Sequence, residues 1–535
     1  MRGQNRDLLL LVGLSLAVRL LAIVPVQQPG YMDAAYSYDI ALNLVRGGGF
    51  TEPFLWNYLD DPAGLPHPSH LYWMPLPTVL AWIGLVTLGQ TYRAAQLPFV
   101  ALSALLPLVS YWTARQVSGR RRHAWLAGLL TVFSGFYVLY WGHTDNFTPF
   151  AVVGSMSLIA AWQAGRTWES DRRDAGWALA AGALVGLAHL ARTDGVLLLG
   201  AIGLVWGSWL ISQRQRAATP EAQDRRLKAR DFLFLGLGYA LVMSPWLARN
   251  WWVTGALLPT AGAQSMWLTT YDDLFSYGRQ LSLSSYLAWG PANILRSKLG
   301  AMWLNAQTML AVWCMVFLAP LAAIGWWRLR RHGLFQLAAC YAVLLTLAMT
   351  LVFTFPGPRG GLFHSGGALL PFIFTAAIVG LDVAVEWVAI RRPSWDARLA
   401  QPAFGIGLVG LAVLVSAFLV YRGIAVEARW RPGDAAYANL VEWLNARGEN
   451  GTMVMLGDPP SYWYHGGGPS IVVPNEPVDV LLAAADRYGA RYLALDRDRP
   501  RPLADLYEGE EAHPRLQLVA RLGGDLVVYR IDPVR

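Results

Sequence analysis

Cysteine is nearly absent. The chain has two, Cys314 and Cys340, in separate apolar runs, which excludes a disulfide framework and a thiolate metal site. Lysine is as scarce: Lys228 and Lys298 are the only two, so nearly all positive charge is arginine. Charged residues make up 15% of 535, too few for an ordinary soluble surface of that size. No internal repeat or low-complexity tract is present, and the lack of an inverted repeat argues against a secondary transporter. The net charge of +8 invites a nucleic-acid reading, but the basic residues fall in short clusters between apolar runs, so no nucleic acid is expected.

What fills the chain is apolar sequence, 55% of it, in long runs rather than an alternating pattern. Runs of roughly 18 or more residues cross the hydrocarbon core as helices, because lipid leaves no other partner for the backbone. The first, Leu8 to Val26, has no small-residue cleavage site after it and reads as a retained span. The basic loops set the topology: Arg115/Arg120/Arg121/Arg122, Arg166/Arg172/Arg173, Arg214 through Arg230, Arg328/Arg330/Arg331 and Arg391/Arg392/Arg398. With Arg2 and Arg6 these belong in the cytoplasm. About eleven spans follow, near 8–26, 94–114, 124–141, 148–164, 177–191, 195–211, 232–250, 306–327, 334–354, 368–389 and 402–423. Residues 73–88 look like a twelfth, yet counting them would turn Arg120–Arg122 outward. Short and opened by Pro75 and Pro77, they are expected to form an interfacial or re-entrant helix.

The fold class expected is an all-α polytopic bundle, residues 1–423, with a first outer loop at 27–93, and a small C-terminal extracytoplasmic α/β domain at 424–535. That domain reads as helix Asp434–Ala446, strands Thr452–Leu456 and Ser470–Val473, helix Val478–Tyr488, and strands Arg491–Leu495, Leu516–Ala520 and Asp525–Ile531. The N-terminus is then cytoplasmic.

Few polar residues are left to carry chemistry. Asp33, just past the first span, suits a general base, or an N-cap for a helix starting at Ala34. Asp145, in Trp141-Gly142-His143-Thr144-Asp145-Asn146, repeats that choice in the next outer loop. Together the two carboxylates suit a divalent cation or the orientation of an acceptor. His143 is a weaker ligand candidate. Arg192 and Asp194 interrupt two short spans and either face a cavity or pair with each other. Arg249 closes a span beside Asn250. Arg359 and His364 lie on a Gly-rich outer turn, where an arginine fork fits a phosphate or snorkels to a lipid headgroup. Trp56 and Trp73 are candidate sugar-stacking rings, whereas Arg19 and His189 read as buried polar contacts.

Tyr31-Met32-Asp33-Ala34-Ala35-Tyr36, then Gly47-Gly48-Gly49-Phe50 and His67-Pro68-Ser69-His70-Leu71-Tyr72-Trp73-Met74-Pro75-Leu76, resemble the first loop of the GT-C glycosyltransferases. The nearest groups are bacterial relatives of the protein O-mannosyltransferases and of the lipid A aminoarabinose transferase. The resemblance extends over most of residues 8–390 through the Asp145 loop, Arg192–Gly195, Pro245-Trp246 with Arg249-Asn250, and the Arg359/His364 turn. It implies a multi-pass protein of the bacterial plasma membrane. The donor would be a polyprenyl-phosphate-linked sugar, used on the outer face with inversion. The acceptor would be a glycan, lipid or protein hydroxyl. Asp33 and Asp145 match the family's acidic positions and would be catalytic. Arg192, Asp194, Arg249, Arg359 and His364 would bind substrate. Where many relatives carry a second adjacent acid, this chain has Ala34, so any Mg or Mn would rest on Asp33 and Asp145. A transporter or glycolipid flippase, or an inactive glycolipid-binding scaffold, remains the alternative.

Overall fold

The computed structural model describes residues 2–167, 175–216, 229–392, 394–427, 430 and 436–533. Arg172, Arg173, most of the Arg214–Arg230 loop and the start of the helix expected at Asp434 lie outside the described residues. The chain divides into two compact units: Met1–Val24, Leu97–Trp252 and Arg296–Glu427 form one, and Pro25–Gln96, Val253–Leu295 and Ala428–Arg535 the other.

The first unit is helical. Among the described residues seven helical segments are long and apolar enough to cross a membrane, and they coincide with seven of the expected spans. Each of the other four has a helix with a physical reason for falling short. Arg2–Ile23 carries Asp7 and Arg19; Gly176–Ala191 has 16 residues. Residues 124–141 divide into Arg121–Val132 and Tyr137–Tyr140, and residues 306–327 divide at the π-helical turn Met309–Trp313. The break after Val132 frees carbonyl groups that lipid cannot satisfy, and Arg19 takes them, donating to Val132 O at 2.7 Å and Thr131 O at 3.1 Å. His189 is likewise bonded, its Nδ1 2.8 Å from the Tyr239 hydroxyl.

Small residues set the close helix contacts, as expected where lipid removes the hydrophobic drive to pack. Helices Ala319–Leu329 and Leu370–Arg391 cross at Gly325 and Gly380, where an added Cβ would lie 1.8 Å from Ala376 O and 1.9 Å from Leu321 O. At one end of the unit Asp7 accepts from Arg121 Nε at 2.6 Å. Asp382 accepts from Arg120 and Arg122, with His123 Nε2 2.7 Å away. The N-terminal helix and the loops at 115–122 and 391–401 therefore share one end, as the charge pattern requires.

The second unit is built on a six-stranded sheet in the order Phe54–Leu55, Ser470–Val472, Val454–Leu456, Tyr492–Leu495, Leu526–Ile531, Leu516–Leu522. The four strands from the Phe54 edge run parallel and the last two pair antiparallel. Alternation along each strand serves two layers. Met455 and Leu493 join Leu481, Leu482 and Tyr529 on one face; Val454, Leu456, Tyr492 and Ala494 join Leu440, Leu444 and Tyr462 on the other. The strands and helices expected at 452–531 form within a few residues of their forecast bounds. The sheet does not close on its own sequence, however. Phe54–Leu55 from the first outer loop pairs with Ser470–Ile471, and Asn475 N–H donates to Phe275 O at 3.1 Å. A boundary at residue 423/424 thus leaves out two segments of this unit, Pro25–Gln96, which carries the edge strand, and Val253–Leu295. Helix Leu76–Leu88 has 13 residues, about 20 Å of rise, too short to span about 30 Å of hydrocarbon.

Candidate active site

In the first unit, polar residues converge on the short helix Leu362–Gly366. The Gly-rich stretch Pro356–Gly367 folds into a π-helical turn, Gly357–Gly361, followed by that helix, rather than an open loop. Its carbonyls are held from neighbouring helices: Tyr137 donates to Phe363 O at 2.7 Å and Trp313 Nε1 to Leu362 O at 3.3 Å. At Gly366 an added Cβ would lie 2.0 Å from Trp313 Nε1, so the ring fixes this position from outside.

His364 is thereby aimed between two charged groups. Arg192 Nη1 lies 2.6 Å from His364 Nδ1, and Nε2 lies 3.6 Å from Asp145 Oδ2. A guanidinium only donates, so Nδ1 is the acceptor and the ring proton sits on Nε2, facing the carboxylate. Phe147 packs edge-on against the imidazole, centroids 3.8 Å apart. Asp194 anchors the arginine: Arg192 Nε is 3.2 Å from Asp194 Oδ1 and donates also to Ser365 Oγ at 3.1 Å. Ser365 closes the circuit by donating to Asp194 Oδ2 at 2.6 Å. Asp145, Asp194, His364 and Ser365 are all buried. Arg192 and Asp194 do pair with each other, one of the two readings the sequence allows, and the pair continues into His364.

The other expected residues stand elsewhere. Arg359 is exposed on the π-helical turn. Arg249 lies over the Trp246 ring, 4.8 Å from its centroid, and donates to Asn250 Oδ1 at 3.2 Å. Sequence reasoning passed over Lys298, which donates to Thr354 Oγ1, five residues before Arg359 in the chain. Its rarity in an arginine-rich chain was the available signal. Ser365 and Phe147 gave none, being an uncharged residue among glycines and one aromatic among many.

In the second unit, Asp33 lies in the first turn of helix Met32–Val45, whose N-cap is Tyr31. The helix starts two residues earlier than Ala34, so Asp33 is not its N-cap. Asn43 shapes the following glycine loop by donating to Gly49 O at 3.2 Å and Thr51 O at 2.9 Å. Trp56 and Trp73 stack on each other, centroids 3.8 Å apart at 16°, which commits a face of each ring to the other rather than to a ligand.

Residues 67–252 match the family described as dolichyl-phosphate-mannose-protein mannosyltransferase. Solved structures extend the likeness along the whole chain. ArnT from Cupriavidus metallidurans in the apo state is 14% identical with a TM-score of 0.55, covering 99% of this chain and 98% of that one. Bound to undecaprenyl phosphate, ArnT is 15% identical with a TM-score of 0.53, covering 98% and 97%. The archaeal oligosaccharyltransferase AglB from Archaeoglobus fulgidus, in complex with an inhibitory peptide and a dolichol-phosphate, is 13% identical with a TM-score of 0.51, covering 92% and 69%. None of the curated proteins matches. The fold is that of the GT-C glycosyltransferases. Within the GT-C fold, the network joins three buried residues, Asp145, His364 and Asp194, to the partly buried Arg192.

Proposed function

We propose that the chain is an inverting membrane glycosyltransferase moving a sugar from a polyprenyl-phosphate donor to an acceptor hydroxyl on the outer face of a bacterial plasma membrane. The observation that carries this reading is the buried Asp145–His364 pair, held by Arg192 inside a GT-C fold. Charges within a membrane protein are costly and are kept for function. Lipid carriers point the same way: ArnT has been crystallised with undecaprenyl phosphate, and AglB has been solved with a dolichol-phosphate.

In this reading Asp33 deprotonates the attacking hydroxyl, and Asp145 acts in the same reaction, oriented by His364 Nε2–H. Arg192 and Asp194 position His364 and are spent on each other, so contact with the donor phosphate falls to Arg359, Arg249 and Lys298. Cations there stabilise the charge that grows as the glycosidic bond breaks. The Asp145 carboxylate offers oxygen donors that suit a divalent cation, whereas His364 has both ring nitrogens engaged and offers none, and AglB has been crystallised in complex with Zn and sulfate. Such a cation would supply counter-charge to the leaving phosphate. Every proton transfer is assigned to the chain's own side chains.

Outer-face transfer has a direct test. A reporter fused at residue 120 should read cytoplasmic and one at the C-terminus extracytoplasmic, and the product sugar should carry the opposite anomeric configuration to the donor. Retained configuration, or residue 120 reading outside, would refute the inverting, outer-face assignment.

A further inference from the structure

The second unit holds a cavity of about 750 Å³ between residues 60–71 and residues 253–259, and none of the groups assigned above lines it. Its polar side is made by Asp60 and His67, with Glu52 behind the histidine. Glu52 and His67 face each other across the antiparallel pair Thr51–Glu52 and His67–Pro68. His67 Nε2 lies 2.7 Å from Glu52 Oε1, while Nδ1 lies 3.7 Å from Asp60 Oδ2. The second distance is too long for a hydrogen bond. His67 is 5% exposed, and with Nε2 committed to Glu52, its Nδ1 has Asp60 and the Phe54 backbone nearby but makes no well-formed hydrogen bond among the described residues. A buried ring nitrogen left this way is rare and costly.

Burial alone would lower the proton affinity of the His67 imidazole, but the charge and hydrogen bond of Glu52, with the Asp60 charge and the Phe54 backbone, more than reverse it. Burial also raises the Glu52 and Asp60 carboxyls. With the ring charged, Nδ1–H is a donor on one side of the gap and the Asp60 carboxylate an acceptor on the other. An ammonium ligand only donates and would face an N–H of its own sign. A phosphate or carboxylate only accepts and would be repelled by Asp60. A hydroxyl accepts from Nδ1–H and donates to Oδ2, and so meets both requirements at once. The walls bear on the rest of the ligand. Pro62, Pro66, Pro68, Leu71 and Pro259 present apolar faces suited to the C–H side of a ring, in a volume typical of small-ligand sites, roughly 300–1,000 Å³.

We infer that this cavity binds a hydroxyl-rich ring of pyranose size, with one hydroxyl bridging His67 Nδ1 and Asp60 Oδ2. Assigning that ring to the acceptor rests on the glycosyltransferase reading, whereas the binding itself does not.

The test uses the full-length protein in lipid nanodiscs, with no donor present. Methyl α-glucopyranoside, galactopyranoside and mannopyranoside are titrated by ligand-observed NMR, with cyclohexanol as the one-hydroxyl control. At least one glycoside should bind more tightly than cyclohexanol, and Asp60→Ala should weaken it roughly tenfold or more, the scale of a lost charge-assisted hydrogen bond. Asp60→Asn, closer in shape, should weaken it less and guards against loss of folding in the alanine variant. If no glycoside binds, or if binding is equal in wild type and a folded Asp60 variant, the pocket assignment is overturned. Transfer assayed on the same wild-type preparation separates the two ideas. Wild-type protein that binds glycoside through Asp60 yet never transfers sugar would refute the transferase reading and leave this site standing.

Discussion

Asp33→Asn should abolish sugar transfer while leaving the fold and donor binding intact. General-base catalysis is typically worth ~10²–10⁴ in rate, and an amide cannot accept the proton. The substitution keeps size and shape. Because the cap of helix Met32–Val45 falls at Tyr31, Asp33 contributes to the helix mainly as a first-turn charge. Its loss there costs about 0.3–1 kcal/mol. Transfer by the purified variant and retention of a polyprenyl-phosphate sugar are measured in parallel. Near-wild-type turnover removes Asp33 as the base. Loss of folding together with activity makes the residue structural.

The second large effect is expected at Arg192. Replacing it with alanine leaves Asp194, 7% exposed, with Ser365 as its remaining donor in the network. Breaking a buried ion pair from one side costs about 3–5 kcal/mol, because a charge stays buried without its counter-charge. Thermal unfolding in detergent should shift downward accordingly. His364 would lose the donor that fixes its tautomer, so transfer should fall as well. Arg192→Lys separates the two contributions. It keeps the charge beside Asp194 but cannot reach Asp194, Ser365 and His364 with one planar fork. This variant should fold and transfer poorly. A lysine variant with full activity would reduce the Arg192–Asp194 pair to a structural contact.

These residues also show what was legible in the sequence. Asp145, Arg192, Asp194 and His364 stood out because charge inside apolar sequence is expensive, and the helical unit brings all four together. Ser365 did not stand out, since a serine between histidine and glycine carries no such penalty. In the second unit, alternation along 452–531 announced every long strand, because one face of each packs on Leu481 and the other on Leu440. Phe54–Leu55 was invisible by the same logic: a two-residue strand has no period, and its partner Ser470–Ile471 lies far along the chain. Counting spans by hydropathy alone misjudges residues 76–88, and length decides against them. The breaks after Val132 and Trp313 were hidden for the opposite reason. Nothing charged marks them, because Arg19 supplies the missing partners for the first from another helix.

The central claim is that the chain breaks the bond between sugar and polyprenyl phosphate. The direct measurement is the fate of a radiolabelled polyprenyl-phosphate sugar in proteoliposomes containing the purified protein and membrane glycolipid or peptide acceptors. The account expects free polyprenyl phosphate and labelled acceptor to form together, and neither to form with Asp33→Asn. Donor that crosses the bilayer intact, with no polyprenyl phosphate released, would contradict it and make the protein a flippase.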